Sequence, residues 1–161
     1  MKPQAFSNIK GLLIDLDGVV YVGDRTIEGA VDTIHRLKER HFVCRFLTNT
    51  TTRSLDSLHR KLAGLGLPID REEIVSATYA GVLYLRQYGR PSCHLLLTDD
   101  PKEDFTEFPR DDINPDFVVV GDLAKSWSYD VMNRAFNMLL KGSKLVALHK
   151  EIGRASCRER V

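Results

Sequence analysis

Two aspartates with one leucine between them close the first apolar run of the chain, GLLIDLDGVVY at residues 11–21. Residues two apart on a strand share a side. Asp15 and Asp17 are therefore expected to present their carboxylates together, provided the strand holds to its end. Two carboxylates that close repel, and burying both without compensation is costly. A hard, oxygen-preferring divalent cation resolves the conflict. Mg²⁺ needs only one or two carboxylates and completes its shell with waters and a phosphate oxygen. Gly18 follows at once, where a sharp turn and a close backbone approach to a ligand favour glycine. A second apolar run, FVCRFLTNTT at 42–51, ends in Thr48, Asn49 and Thr50. A hydroxyl and an amide, beside backbone N–H groups opening a helix, are groups that hold phosphate. N-capping of the next helix by the 48–52 segment is the plainer role, and the two are compatible.

The surrounding pattern is expected to place both runs at one edge of a sheet. IKGLLID (9–15), FVCRFLT (42–48), CHLLLT (93–98), DFVVVGD (116–122) and SKLVALH (143–149) are short and apolar, as for strands buried on both faces. Between them lie helical periods. Val31, Ile34 and Leu37 recur in 28–40. Leu55, Leu58, Leu62 and Leu65 form a stripe ended by Gly66 and Pro68. A short extended piece and a helix capped by Thr78 are expected across EIVSATYAGVLYLRQYG. A further helix starts at Ser128, with Met132, Phe136 and Leu139 on its inner face. Alternating strands and helices predict an α/β fold with a parallel sheet. Ligands of such sheets bind beyond the C-terminal strand ends. The first strand is expected to be central, and a softer boundary falls near residues 66–78.

Bulk properties narrow the function. The 161 residues carry 43% hydrophobic and 28% charged side chains and a net charge of +1. That balance suits a globular protein and gives no field for nucleic acid or an anionic membrane. No apolar stretch reaches membrane-helix length, and MKPQAFSNIK lacks a signal-peptide core. Cys44, Cys93 and Cys157 form neither a disulfide framework nor a zinc pattern. A cytoplasmic location with reduced thiols is expected.

LLIDLDGVVY resembles the first signature of the haloacid dehalogenase-like phosphohydrolases, and FLTNTT resembles their second. The resemblance implies that Asp15 is the nucleophile and Asp17 the general acid and base. It implies Mg²⁺ held by the Asp15 side chain and the Asp17 backbone carbonyl. It also implies that Thr48, with Gly18, Asn49 and Thr50, binds the transferring phosphoryl group. GVVYVGDRTIEGAVDTIHRLKERHFVCRFLTNTT is similar to subfamily IIA, whose large cap is inserted after the second signature. That branch holds p-nitrophenyl-phosphate and N-acetylglucosamine-phosphate phosphatases. INPDFVVVGDLAKSWSYDVMNRAFNMLLKGSKLVALHK resembles its cap. The implied organisation is the N-terminal half of a Rossmann-like core at 1–77 and a partial type-C2 α/β cap at 78–150. The implied function is a Mg²⁺-dependent phosphatase acting on a small phosphorylated metabolite through an aspartyl-phosphate, with self-association through the cap. The third-signature Lys and the fourth-signature acids have no match here, so the chain as written is expected to be inactive.

The last eleven residues, EIGRASCRERV, fit no element and look like a translated sequencing-library adapter. Residues 151–161 are therefore expected to be non-native. Asp99 and Asp100 read as turn or cap residues, Asp122 as a strand-end acid, Arg53 as a solvated arginine and Trp127 as a packing residue. No metal spacing links His35, His41, His59 and His94. Two other readings compete. One is a D-x-D sugar-nucleotide transferase, although that motif would be expected deeper in a larger domain. The other is a non-catalytic receiver-like phospho-acceptor module, which strand order would distinguish.

Overall fold

A computed structural model describes residues 9–149. The expectation for 151–161, and Cys157 with it, lies outside the described residues. The first sheet contains β1 (Gly11–Asp15), β4 (Val43–Thr48) and β5 (Ile74–Ser76), parallel and in the order β1-β4-β5. Between β1 and β4 the chain makes a small antiparallel hairpin, β2 (Tyr21–Val22) and β3 (Arg25–Thr26), then helix α1 (Ala30–Glu39). Helix α2 (Leu55–Gly64) crosses from β4 to β5. Helix α3 (Ala77–Arg86) leads to a second parallel sheet. Its strands β6 (Cys93–Leu96), β7 (Phe117–Val120) and β8 (Lys144–Ala147) lie in the order β6-β7-β8. The short α4 (Asp99–Lys102) follows β6, and α5 (Tyr129–Leu140) precedes β8.

The leucine stripe of α2 does what its spacing predicts. Leu55, Leu58 and Leu62 are fully buried against Phe46, Ile34 and Leu16. Ser54 caps the helix, its hydroxyl accepting the Ser57 N–H at 3.2 Å. Gly66, just past the end, has a φ of 72°, a left-handed conformation that glycine adopts without strain. Helix α5 begins at Ser128 as expected, with the Ser128 hydroxyl accepting from Val131 N–H.

The expectation of strands buried on both faces holds for β6 and β7 of the second sheet and fails for its β8, where Leu145 is 55% exposed, and for the first sheet. In the second, Cys93, Leu95, Phe117 and Val119 pack under α3 with Val82, Leu85 and Phe105. Leu96 and Val118 pack on the other face against Ala135 and Met138 of α5. In the first, Leu13 is 74% and Val43 56% exposed. The reason is topological. Right-handed crossovers that step twice in one direction put both helices on one face. Accordingly α1 and α2 share a single cluster with Cys44 and Phe46, and no described element covers the other face. Among the described residues β1 pairs with β4 alone.

Three local expectations are corrected. Ser76, not Thr78, caps α3, because the Ser76 hydroxyl reaches the Tyr79 N–H while Thr78 is already inside the first turn. The inner face of α5 is Val131, Ala135, Met138 and Leu139, whereas Met132 and Phe136 are 60% and 58% exposed. Trp127 is 41% exposed rather than packed.

Replacing Leu62 by Ala removes a fully buried side chain from the α2 stripe. A loss of about 2–5 kcal/mol of stability is expected in urea denaturation. A loss under about 1 kcal/mol would mean that this stripe does not form the core.

Candidate active site

The register of the first sheet assembles the candidate residues. Asp15 stands opposite Leu47 across the β1–β4 ladder, so Thr48 lies one step beyond the acid at the same, C-terminal edge. Leu16 is fully buried between the two exposed aspartates, which continues the strand alternation past the end of β1. The Leu16 carbonyl accepts the N–H groups of Val19, Val20 and Tyr21, so the chain turns immediately. Gly18 makes that turn with a φ of 86°, and its N–H donates to the Tyr21 carbonyl at 2.8 Å. Asp15 Oδ1 accepts the Leu16 N–H at 3.0 Å.

The two acids open onto neighbouring clefts that share Thr48. Asp15 lines one with Thr48, Asn49 and Ser76. Asp17 lines the other, a cavity of about 180 Å³, with Thr48, Thr50, Arg53 and Lys61. Thr48 and Thr50 are buried, and Thr48 Oγ1 accepts the Thr50 N–H at 3.2 Å. The structure thus gathers Asp15, Asp17, Thr48, Asn49 and Thr50 at one sheet edge, with Gly18 in the adjoining turn.

Part of the phosphate expectation is overturned. No helix opens at Thr48–Asn49. Helix α2 starts at Leu55, and the N–H groups of Ser54, Leu55 and Ser57 around its start are already taken. Ser54 N–H and hydroxyl donate to Asp100 at 3.2 and 2.9 Å, and Leu55 N–H is shared by both Asp104 oxygens at 3.0 Å. A capped helix start bonded to two carboxylates is not an open anion site. Phosphate contacts would fall to the Thr48–Thr50 loop itself. N-capping by the 48–52 segment is likewise replaced, since Ser54 does it. Burial pushes the Asp104 carboxyl above the usual carboxylate range, against the opposing hydrogen bonds from Leu55 N–H and the Thr78 hydroxyl.

Sequence reasoning missed two groups at this edge. Tyr21 and Gly23 enter the Asp17 cleft on the β2–β3 hairpin. Its signal was present, since Gly23-Asp24 between two short extended pairs is a tight-turn dipeptide. Lys61, from α2, lies 4.6 Å over the Tyr21 ring and 3.4 Å from Asp24 Oδ1. A cation is thereby held beside the cleft that Asp17 and Thr48 line. Of the other residues weighed, Asp99 pairs with Lys102 and Asp122 Oδ1 accepts the Ala124 N–H. Arg53 Nη1 lies 3.4 Å from Ser57 Oγ. His94, buried on β6, meets Asp112 at 2.6 Å.

Residues 12–108 match the family described as haloacid dehalogenase-like hydrolase. The chain is 36% identical over 143 residues to human haloacid dehalogenase-like hydrolase domain-containing protein 2, covering 88% of this chain and 54% of that protein. It is 33% identical over 153 residues to human phospholysine phosphohistidine inorganic pyrophosphate phosphatase, covering 92% and 55%. Among solved structures, the 4-nitrophenylphosphatase of Thermotoga maritima superposes with a TM-score of 0.82 at 29% identity, over 89% of this chain and 56% of that one. The chain therefore spans about half the length of the relatives it matches.

Replacing Gly18 by Ala meets no atom within 4 Å, so its cost is conformational alone. A loss of about 1 kcal/mol is expected from the left-handed backbone. An unchanged thermal midpoint would show that the turn does not need this φ.

Proposed function

The chain belongs to the haloacid dehalogenase-like hydrolases, and we propose that the complete protein is a Mg²⁺-dependent phosphatase of a small phosphorylated metabolite. The observation that carries the reading is the convergence of Asp15 and Asp17 on Thr48 at the C-terminal edge of a parallel sheet. That is the edge where open α/β sheets bind ligands. The named activities of the relatives, on 4-nitrophenyl phosphate and on phosphorylated lysine and histidine, support the reaction class.

The strand order disfavours the receiver-like alternative. In a receiver-type sheet the first strand lies between the second and third. Here β4 lies between β1 and β5.

In the proposed mechanism, an Asp15 carboxylate oxygen attacks phosphorus and the bond to the ester oxygen breaks. Asp17 gives its proton to the leaving oxygen as that bond opens. Asp17 then takes a proton from water as the water oxygen attacks the aspartyl-phosphate. The bond from phosphorus to Asp15 breaks, and phosphate and a free carboxylate result. Thr48, Asn49 and Thr50 hold the phosphoryl oxygens. The donor set fits Mg²⁺ as far as it goes: the Asp15 carboxylate and the Asp17 carbonyl are hard oxygen ligands at an exposed edge. Among the described residues no three acids, histidines or cysteines come together, so further ligands would come from elsewhere in the complete protein. When bound, the ion neutralises charge on the transferring group.

The family resemblance implies that the charge-stabilising Lys and the remaining acids follow the cap. We read 1–77 as the first half of the catalytic core and 78–150 as part of that cap. No helix among the described residues is long and apolar enough to cross a membrane, and a cytoplasmic setting is part of the proposal.

In the complete protein, Asp15→Asn is expected to abolish Mg²⁺-dependent hydrolysis of p-nitrophenyl phosphate. Asp17→Asn should lower kcat by about 10²–10⁴-fold, the range of general acid–base catalysis. Full activity in Asp15→Asn would remove the nucleophile assignment.

A further inference from the structure

The loop that carries Thr48, Asn49 and Thr50 is bonded at its far end by groups from the second sheet's connections. Asp100, in α4, accepts both the N–H and the hydroxyl of Ser54, one on each carboxylate oxygen. Asp104, in the turn after α4, accepts the Leu55 N–H. Asp122, after β7, donates its N–H to Thr51 Oγ1 at 3.2 Å. Thr51, Ser54 and Leu55 are all nearly inaccessible, so one side of each bond is buried while the acids that meet them are half-buried. Gly121 packs so close to Thr51 that an added Cβ would lie 3.2 Å from the threonine Cβ. The contacts span 46 to 71 residues of sequence, and none is needed to form α2 itself, which Ser54 already caps.

Ser54 links the two halves of this arrangement. Its hydroxyl donates to Asp100 while accepting from Ser57 N–H, a chain in which each bond polarises the next. A carboxylate at a helix start is also favoured by the helix dipole. Between the Thr48 end, pinned in the β4 ladder, and the Ser54 end, held by carboxylates, only residues 49–53 are left to place the phosphate contacts.

We propose that Asp100 and Asp104 are positioning residues, which clasp the start of α2 from the second sheet's connections and so set the conformation of the Thr48–Thr52 loop. The proposal rests on the phosphatase reading for its catalytic consequence. Loosening either carboxylate lets the loop sample other conformations, which weakens phosphoryl binding before it affects chemistry at Asp15.

The test uses the complete protein with p-nitrophenyl phosphate and Mg²⁺, together with amide hydrogen exchange across residues 48–55. Asp100→Ala removes two charge-assisted hydrogen bonds to Ser54, each worth about tenfold, and is expected to raise KM, and the inhibition constant of inorganic phosphate, by at least about tenfold. The change in kcat should be smaller, and exchange in 49–55 should quicken. Asp104→Asn keeps one acceptor oxygen for Leu55 and should shift KM less than Asp104→Ala. Ser54→Ala combined with Asp100→Ala should be non-additive, since each removes the same bond. A lowered thermal midpoint with unchanged KM, phosphate inhibition and exchange in Asp100→Ala would overturn the clasp. A wild type without phosphatase activity would overturn the phosphatase reading instead. Hydrogen exchange would then judge the clasp alone, with quicker exchange upholding it and unchanged exchange refuting it.

Discussion

The parallel ladder between β1 and β4 is the constraint on which the site depends. Its register pairs Gly11 with Val43 and runs to Asp15 opposite Leu47. Because the strands are parallel, both C-terminal ends reach the same edge, and the acids and the threonine loop meet there without any direct link in sequence. A slip of one residue would turn Phe46 and Leu16 out of the core and bury the charged alternates. Burial of those two side chains therefore holds the register that the chemistry needs. The acids are exposed for the same reason that Leu16 is buried: strand alternation places them on opposite sides of the chain.

Around this ladder the two sheets are unequal. In the second sheet β6 and β7 are buried between α3 on one face and α5 on the other, while β8 is largely exposed. The first carries both of its crossover helices on one face, and its other face and the outer edge of β1 have no cover among the described residues. The chain spans about half of its matched relatives. Tyr79 packs against the cores of both sheets, and the carboxylates of Asp100 and Asp104 tie α2 to the second. The edge that carries the two acids is thus built by one sheet and hydrogen-bonded to the connections of the other.

Much of this was legible in the residues. The leucines of α2, the Ser128 cap, the Gly66 stop and the acids at the end of β1 are local signals, each decided within about one helical turn or one strand. The readings that failed depended on what lies across the fold. Met132 and Phe136 have the spacing of a core stripe, yet Ala135 and Met138 face β7 because the sheet's position selects the buried arc of α5. The hairpin at Gly23-Asp24 was legible and overlooked.

By itself the sequence determined the α/β alternation, the acid pair at a strand end and the threonine loop at the next. Those features follow from periodicity and from the fixed geometry of strands, which neighbours in sequence settle. Only the tertiary structure decided that Asp15 and Asp17 open onto separate clefts joined at Thr48, and that Lys61 lies over Tyr21 beside one of them. It alone decided that the α2 start belongs to Asp100 and Asp104 rather than to a phosphate. Those contacts join residues far apart in the chain, so they exist only once the sheets have closed and the register of β1 against β4 is set.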